Sequence, residues 1–120
     1  ARDVFVAETT DEARRAVKEG TLARDFTDYL FKMIPKIRGN LNIFKSDKSM
    51  PDSDVTIDYM IDNLWIVGSP DDVVTQIEDL YHSVGGFGVL LVMGHEWKPK
   101  DKWTRSMQLL VEEVMPRLRF

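Results

Sequence analysis

Residues 64–97 read LWIVGSPDDVVTQIEDLYHSVGGFGVLLVMGHEW, and the order of signals along them decides the fold. A short apolar run from Leu64 to Val67 gives way at Gly68 to Ser69, Pro70 and Asp72. Ser69 is an N-cap hydroxyl, Pro70 stands at the first helical position where no N–H is needed, and Asp72 lies in the first turn beside the positive end of the helix dipole. Val73, Val74, Ile77, Leu80, Tyr81 and Val84 then form one apolar stripe, and Gly85 with Gly86 supplies a left-handed stop. Residues 89–93, apolar at every position, read as a second strand covered on both faces. Strand, capped helix, strand is a βα unit running into a parallel neighbour.

The same grammar appears on either side. Residues 4–7 are a β-rich run, followed by Thr9 and Glu12 at capping-box spacing. The helix that starts there is expected to pause at Gly20, to continue through Phe26, Tyr29, Leu30, Met33 and Ile34, and to end at Pro35. A last helix is expected from about Asp101, marked by Trp103, Met107, Leu110, Val111, Val114 and Leu118, with Pro116 kinking or ending it. Three parallel βα units follow, and their C-terminal strand ends should share one rim bearing Glu8, Ser69 and the group His95, Glu96 and Trp97. Between Pro35 and Asn63 the connection far exceeds the usual ~2–6 residues. Its polar, proline-marked sequence is open to two readings, a lid over a site or a plain surface excursion.

Composition narrows the function. At 120 residues, 43% hydrophobic and 30% charged, the chain fits one soluble domain or a fragment of one, with a core. A net charge of −4 with scattered basic residues argues against nucleic acid and against an anionic membrane surface. With no cysteine there are no disulfides or thiolates, and the cytoplasm is the expected compartment. The start, ARDVFVAETT, enters a strand almost at once and reads as a cut.

Candidate chemistry is sparse. Gly85, Gly86 and Gly88 precede a strand and so do not make a dinucleotide fingerprint. Gly68 and Ser69 do lie between a strand and a helix start, where free N–H groups favour an anion, although Asp71 and Asp72 already fill that turn with negative charge. His82 sits in a last helical turn and reads as surface. His95 ends a strand, where an imidazole could exchange protons; Glu96 could tune it, and Trp97 could stack on a planar ligand or cap the core. No metal-ligand spacing is present.

Residues 66–97, continued by RSMQLLVEEVMPRL at 105–118 and preceded by DVFVAETTDEARR at 3–15, resemble the C-terminal portion of the bacterial luciferase-like flavin-dependent monooxygenases, in the limonene monooxygenase-like branch. The likeness rests on an ordered set: a Gly-Ser-Pro-Asp helix start, a strand ending in Gly94 before His95 and Glu96, and a last helix closing on Met115-Pro116. It implies the last three βα units of a (β/α)8 TIM barrel, an incomplete barrel in this chain, with residues 35–62 where the family has its mobile lid. It also implies reduced FMN supplied by a separate flavin reductase, or a deazaflavin in sister branches, activating oxygen for attack on a small organic substrate. Glu96 matches the family's acid after the last strand and His95 stands where an aromatic or histidine is usual, so both are taken as catalytic candidates; Gly68 and Ser69 match the penultimate loop and, with Trp97 as a stacking ring, are taken as cofactor-binding candidates. Most flavin contacts would come from strands outside this chain, which alone should be inactive. The alternative is a complete small α/β module that binds a partner or assembles with itself; an isolated chain would have to cover its open strand edges by dimerising, by swapping elements or by loops, and a homo-oligomer is expected.

Overall fold

The computed structural model describes all 120 residues, Ala1–Phe120. Its elements are strand β1 (Val4–Val6), helices α1 (Thr10–Glu19), α2 (Thr21–Asp25), α3 (Phe31–Arg38) and α4 (Ile57–Asn63), strand β2 (Ile66–Gly68), and helices α5 (Pro70–Ser83) and α6 (Lys100–Leu109). β1 and β2 pair in parallel with Val4 opposite Ile66 and Val6 opposite Gly68. The local start signals work as read: Thr9 accepts the N–H of Glu12 at 3.2 Å, and Ser69 accepts that of Asp72 at 3.3 Å. After α5, Gly85 and Gly86 adopt φ of 78° and 99°, the left-handed geometry that stops the helix.

The two faces of the β1–β2 ladder bury two separate cores. Phe5 and Val67 point into one, with Ala13 and Val17 of α1, Leu22, Phe26, Met60, Trp65 and Trp103. Val4, Val6 and Ile66 point into the other, with Val73, Val74 and Ile77 of α5, Leu109 at the end of α6, and Leu110 and Val114 beyond it. Alternation along a strand sends neighbours to opposite faces, so strands buried on both faces must be apolar throughout. Phe5 packs edge-on against Trp103, with centroids 4.9 Å apart, which ties α6 to the first core as well as the second.

Four expectations are corrected. The third strand is a single bridge, Arg2 beside Val92, and not a third full ladder. Residues 89–93 are also not covered on both faces: Leu90 and Val92 pack on the second core, while Val89 is 75% and Leu91 63% exposed. Apolar composition reports only a preference for burial, and here one face of the run has no element over it.

The lateral order is β2, β1, then Val92, so the first strand is central, whereas consecutive barrel units would put the second there. Reversing direction across β1 places successive right-handed crossovers on opposite faces. That accounts for α1 on one side and α5 on the other. The observed architecture is a small parallel α/β sheet, and the three-unit barrel remains an expectation.

Nor is there one common rim. Val92 pairs with Arg2, ahead of β1, so the chain leaves the sheet level with the start of β1, not its end. Glu8 and Ser69 stand at one end of the sheet; His95 and Glu96 meet Asp3 and α2 at the other. Finally, Pro35 lies inside α3, which runs on to Arg38 and stops at Gly39, φ 82°. Proline costs the helix one hydrogen bond but does not end it when packing continues, and Ile34 rests on the first core.

The connection at 35–62 carries its own local order. Leu41, Val55, Met60 and Ile61 are buried in the first core. The Lys45 ammonium, also buried, bonds Asp52 at 2.6 Å and Asn42 at 2.8 Å.

Candidate functional site

At the Ser69 end, the helix start is satisfied from within. The Ser69 N–H donates to Thr10 Oγ1 at 3.0 Å, and the Thr10 hydroxyl in turn donates to the Asp72 carboxylate. Gly68 is closely packed, because a Cβ there would meet Asp72 Cβ at 2.9 Å and Thr10 Oγ1 at 3.3 Å. The turn therefore caps α5 and joins it to α1. Beside it, Arg105 pairs with Glu8 at 2.7 Å across a cleft of about 380 Å³ whose wall includes Glu12 and Arg15.

At the other end, the segment that follows Met93 delivers His95 between two carboxylates. Its Nε2 is 2.5 Å from Asp3 and its Nδ1 is 3.0 Å from Asp25. Asp3 arrives on the odd face of the β1 strand and Asp25 at the end of α2, so one imidazole fastens three parts of the chain. The hydrogen bond to Asp3, then that to Asp25, raises the His95 pKa above its usual value against the opposing effect of burial. An imidazolium donating through both nitrogens is the form this site favours.

Glu96 is held by Lys98 at 2.7 Å and Arg24 at 2.8 Å, which keep its carboxyl below the usual carboxylate range. The Thr21 hydroxyl donates to the Glu96 carbonyl at 2.7 Å, fixing the loop to the start of α2. Trp97 projects outward, 40% exposed. A shallow polar groove of about 730 Å³ lies alongside, bordered by Lys18, Gly20, Arg24, Asp28, Asp58 and Lys98.

Sequence reading brought out His95, Glu96 and Trp97, and the structure does keep them on one loop. Gly68 and Ser69 sit at the opposite end, so the five residues do not form one site within this chain. Asp3, Thr21, Arg24 and Asp25 were not singled out. A signal existed for the two acids: Asp3 opens an apolar strand and Asp25 adjoins Phe26 on an apolar helix stripe, where a carboxylate needs a partner. No group of three ligating side chains could hold a metal ion.

The two clefts are lined mostly by charged and polar side chains, not by the flat apolar slot an isoalloxazine needs, and at the Ser69 helix start the Ser69 and Asp72 N–H groups are spent on Thr10 and Ser69. These residues do not by themselves make a flavin site.

The homologues of the chain are monooxygenases of the luciferase-like type, as the sequence resemblance implied. Among them, 3,6-diketocamphane 1,6-monooxygenase of Pseudomonas putida is 33% identical over 116 residues, covering 96% of this chain and 30% of the relative. Limonene 1,2-monooxygenase of Rhodococcus erythropolis is 35% identical over 114 residues, 94% of this chain and 26% of the relative. A solved structure superposes with a TM-score of 0.88 at 32% identity, covering 99% of this chain and 33% of that one. It is a type II Baeyer-Villiger monooxygenase, the oxygenating constituent of 3,6-diketocamphane monooxygenase from the CAM plasmid of Pseudomonas putida, in complex with FMN. The chain thus spans about a third of the length of the relatives it matches. No protein-family model matches it.

Proposed function

We propose that these residues are the C-terminal portion of an FMN-dependent monooxygenase that uses reduced flavin and oxygen to oxidise a small organic substrate. The observation that carries this is the superposition of nearly the whole chain, at 32% identity, on part of an FMN-bound oxygenating enzyme. The flavin supplies the oxygen activation, and most of its site lies outside this chain. The reading includes a soluble, cytoplasmic homo-oligomer and a separate reductase as the source of reduced flavin, with a deazaflavin as the alternative cofactor. No helix here is long and apolar enough to cross a membrane.

Within that enzyme the loop of His95, Glu96 and Trp97 is the part of this chain assigned to the substrate pocket. His95 has both ring nitrogens engaged, so its role is to hold the loop, and Glu96 and Trp97 are the groups it presents. The flavin contact expected of Gly68 and Ser69 is tested directly by protection of those residues when FMN binds. Residues 35–62 are assigned as the cover of the pocket, hinged at Gly39. The alternative of a complete, non-catalytic module has no specific observation in its favour.

The test is turnover. The longer natural polypeptide, given reduced FMN, oxygen and a bicyclic ketone or limonene, should give the oxygenated product, and the 120 residues alone should give none. Product from the short chain, or none from the long one across such a panel, overturns the reading.

A further inference from the structure

The loop at residues 94–98 is held mainly by side chains, and most of them belong to α2. His95 is bonded by Asp3 and Asp25, Glu96 Oε2 by Arg24, and the Glu96 carbonyl by the Thr21 hydroxyl. Thr21, Arg24 and Asp25 all lie on α2. One nitrogen there is shared: Arg24 Nη2 stands 2.8 Å from Glu96 Oε2 and 3.5 Å from Asp25 Oδ1, while the other oxygen of Asp25 faces His95 Nδ1 at 3.0 Å. His95, Asp25, Arg24 and Glu96 therefore form one line of alternating charge, which ends at the carboxylate proposed for the substrate pocket.

Both imidazole nitrogens face carboxylates, which only accept, so both must donate and the ring must carry its second proton. When that proton leaves, one nitrogen becomes an acceptor turned on a carboxylate, and that contact fails. The two carboxylates are not equivalent. Asp3, 15% exposed, has no other hydrogen-bond partner for its carboxylate, so losing the imidazole would leave it unpaired in a largely buried place. Asp25, 33% exposed, already has Arg24 within reach. The Nε2–H is thus kept for Asp3, and Nδ1 gives up its proton. Asp25, released, turns to Arg24 and draws the guanidinium from Glu96, which is left with Lys98 at 2.7 Å. The charged groups around the ring are Asp3 from the start of β1, Asp25 and Arg24 from α2, and Glu96 and Lys98 from its own loop; the turn at 26–30 adds the Phe26 ring, its centroid 6.3 Å away.

We infer that Arg24 and Asp25 are positioning residues for Glu96, and that they set its carboxylate according to whether His95 holds one proton or two. The inference rests on the proposed function for its consequence, since Glu96 is presented to a substrate only on that reading. Once His95 is neutral, the carboxylate has lost the cation that orients it, and turnover falls. The hydrogen bonds from Asp3 and Asp25 place that change above the usual 6.5 of a histidine.

NMR of the full-length natural protein, labelled at histidine and glutamate, reads the relay without turnover. As pH rises, the neutral His95 ring should be the Nε2–H form, and the Glu96 carboxyl signal should step at the same pH. A neutral ring protonated at Nδ1, or a Glu96 signal that ignores the His95 titration, overturns the relay. Arg24 is half exposed, so Arg24→Gln should keep the fold and remove most of the Glu96 step while His95 still titrates. A step of unchanged size shows that His95 acts on Glu96 without Arg24, and overturns the assignment. In Asp25→Asn the amide cannot draw the guanidinium as a carboxylate does, and the step should be lost there too. With reduced FMN, oxygen and a bicyclic ketone, wild-type kcat should fall ~10-fold across the same interval with KM changed less, and Arg24→Gln should be slow at every pH. A kcat that does not follow the step overturns the positioning role, whereas no turnover at any pH with the relay intact by NMR overturns the proposed function alone.

Discussion

Residues 64–68 and 89–93 are both short, apolar and β-rich, yet the first ends in the sealed strand β2 at Ile66–Gly68 and the second is an open run with a single bridge. Trp65, Ile66 and Val67 are 2–3% exposed, whereas Val89 and Leu91 are mostly in solvent. The sequences do not differ in kind. What differs is the partner: β2 has β1 on one edge, the Gln76 amide bonded to Val67 on the other, α1 and α5 on its faces, while residues 89–93 have a core on one face only. A strand is a property of what surrounds it, and an apolar run announces the need for cover without supplying it.

Charge substitution should separate the two regions most widely. Val67→Asp buries an unpaired carboxylate in the first core and should lower stability by ~4 kcal/mol or more, to the point of unfolding. Leu91→Asp, at a position 63% exposed, should change it by less than ~0.5 kcal/mol. Denaturant titration of both variants reads this, and an equal cost for Val67→Asp and Leu91→Asp would end the contrast.

Next comes tryptophan. Trp103, 5% exposed and edge-on to Phe5, should cost ~3–5 kcal/mol on truncation to alanine. Trp97, 40% exposed, should cost less than ~1 kcal/mol and should instead lower turnover of the longer enzyme. A larger melting shift for Trp97→Ala than for Trp103→Ala would make that loop a core cap.

The third test uses pH. His95 is raised above its usual 6.5 by Asp3 and Asp25, so in the folded state it holds its proton to higher pH than when unfolded. Its stabilisation is fully present below the unfolded value and is lost as pH rises through the raised folded value. Melting temperature should therefore fall on going from pH 6 upward, and His95→Gln should flatten that slope. An unchanged slope in the variant would detach the loop at 94–98 from the clamp. The smallest effect is expected at the sealed end, where Ser69→Ala should remove about 1 kcal/mol of helix capping and leave the pH profile as it was, as thermal melts across the same pH range would show.

Much of the fold was legible because its signals are local. Thr9, Ser69, Pro70, Gly85 and Gly86 act on backbone within a few residues, through a hydroxyl that accepts a free N–H or a residue that tolerates positive φ. The family resemblance was legible for the same reason, since an ordered set of such signals survives divergence. Pro35 misled because a helix end depends on packing as well as on one missing donor.

The site was less legible. His95, Glu96 and Trp97 could be picked out as polar residues ending an apolar run, but which end of the sheet they occupy depends on the stagger of Val92 against Arg2. A one-strand shift in pairing order moved them away from Glu8 and Ser69. Their partners lie 70 and 92 positions away at Asp25 and Asp3, and no periodicity links such residues.

By itself, then, the sequence determined where helices begin and stop, which stripes are apolar, and that the units are strand followed by helix, because each of these is decided by neighbours along the chain. The tertiary structure alone decided that β1 is central, that the Gln76 amide bonds Val67 at one edge while Val89 and Leu91 stay exposed at the other, and that His95 is clamped between two aspartates. Those features arise from groups far apart in sequence meeting in space, where pairing order and stagger select among arrangements that the local signals permit equally.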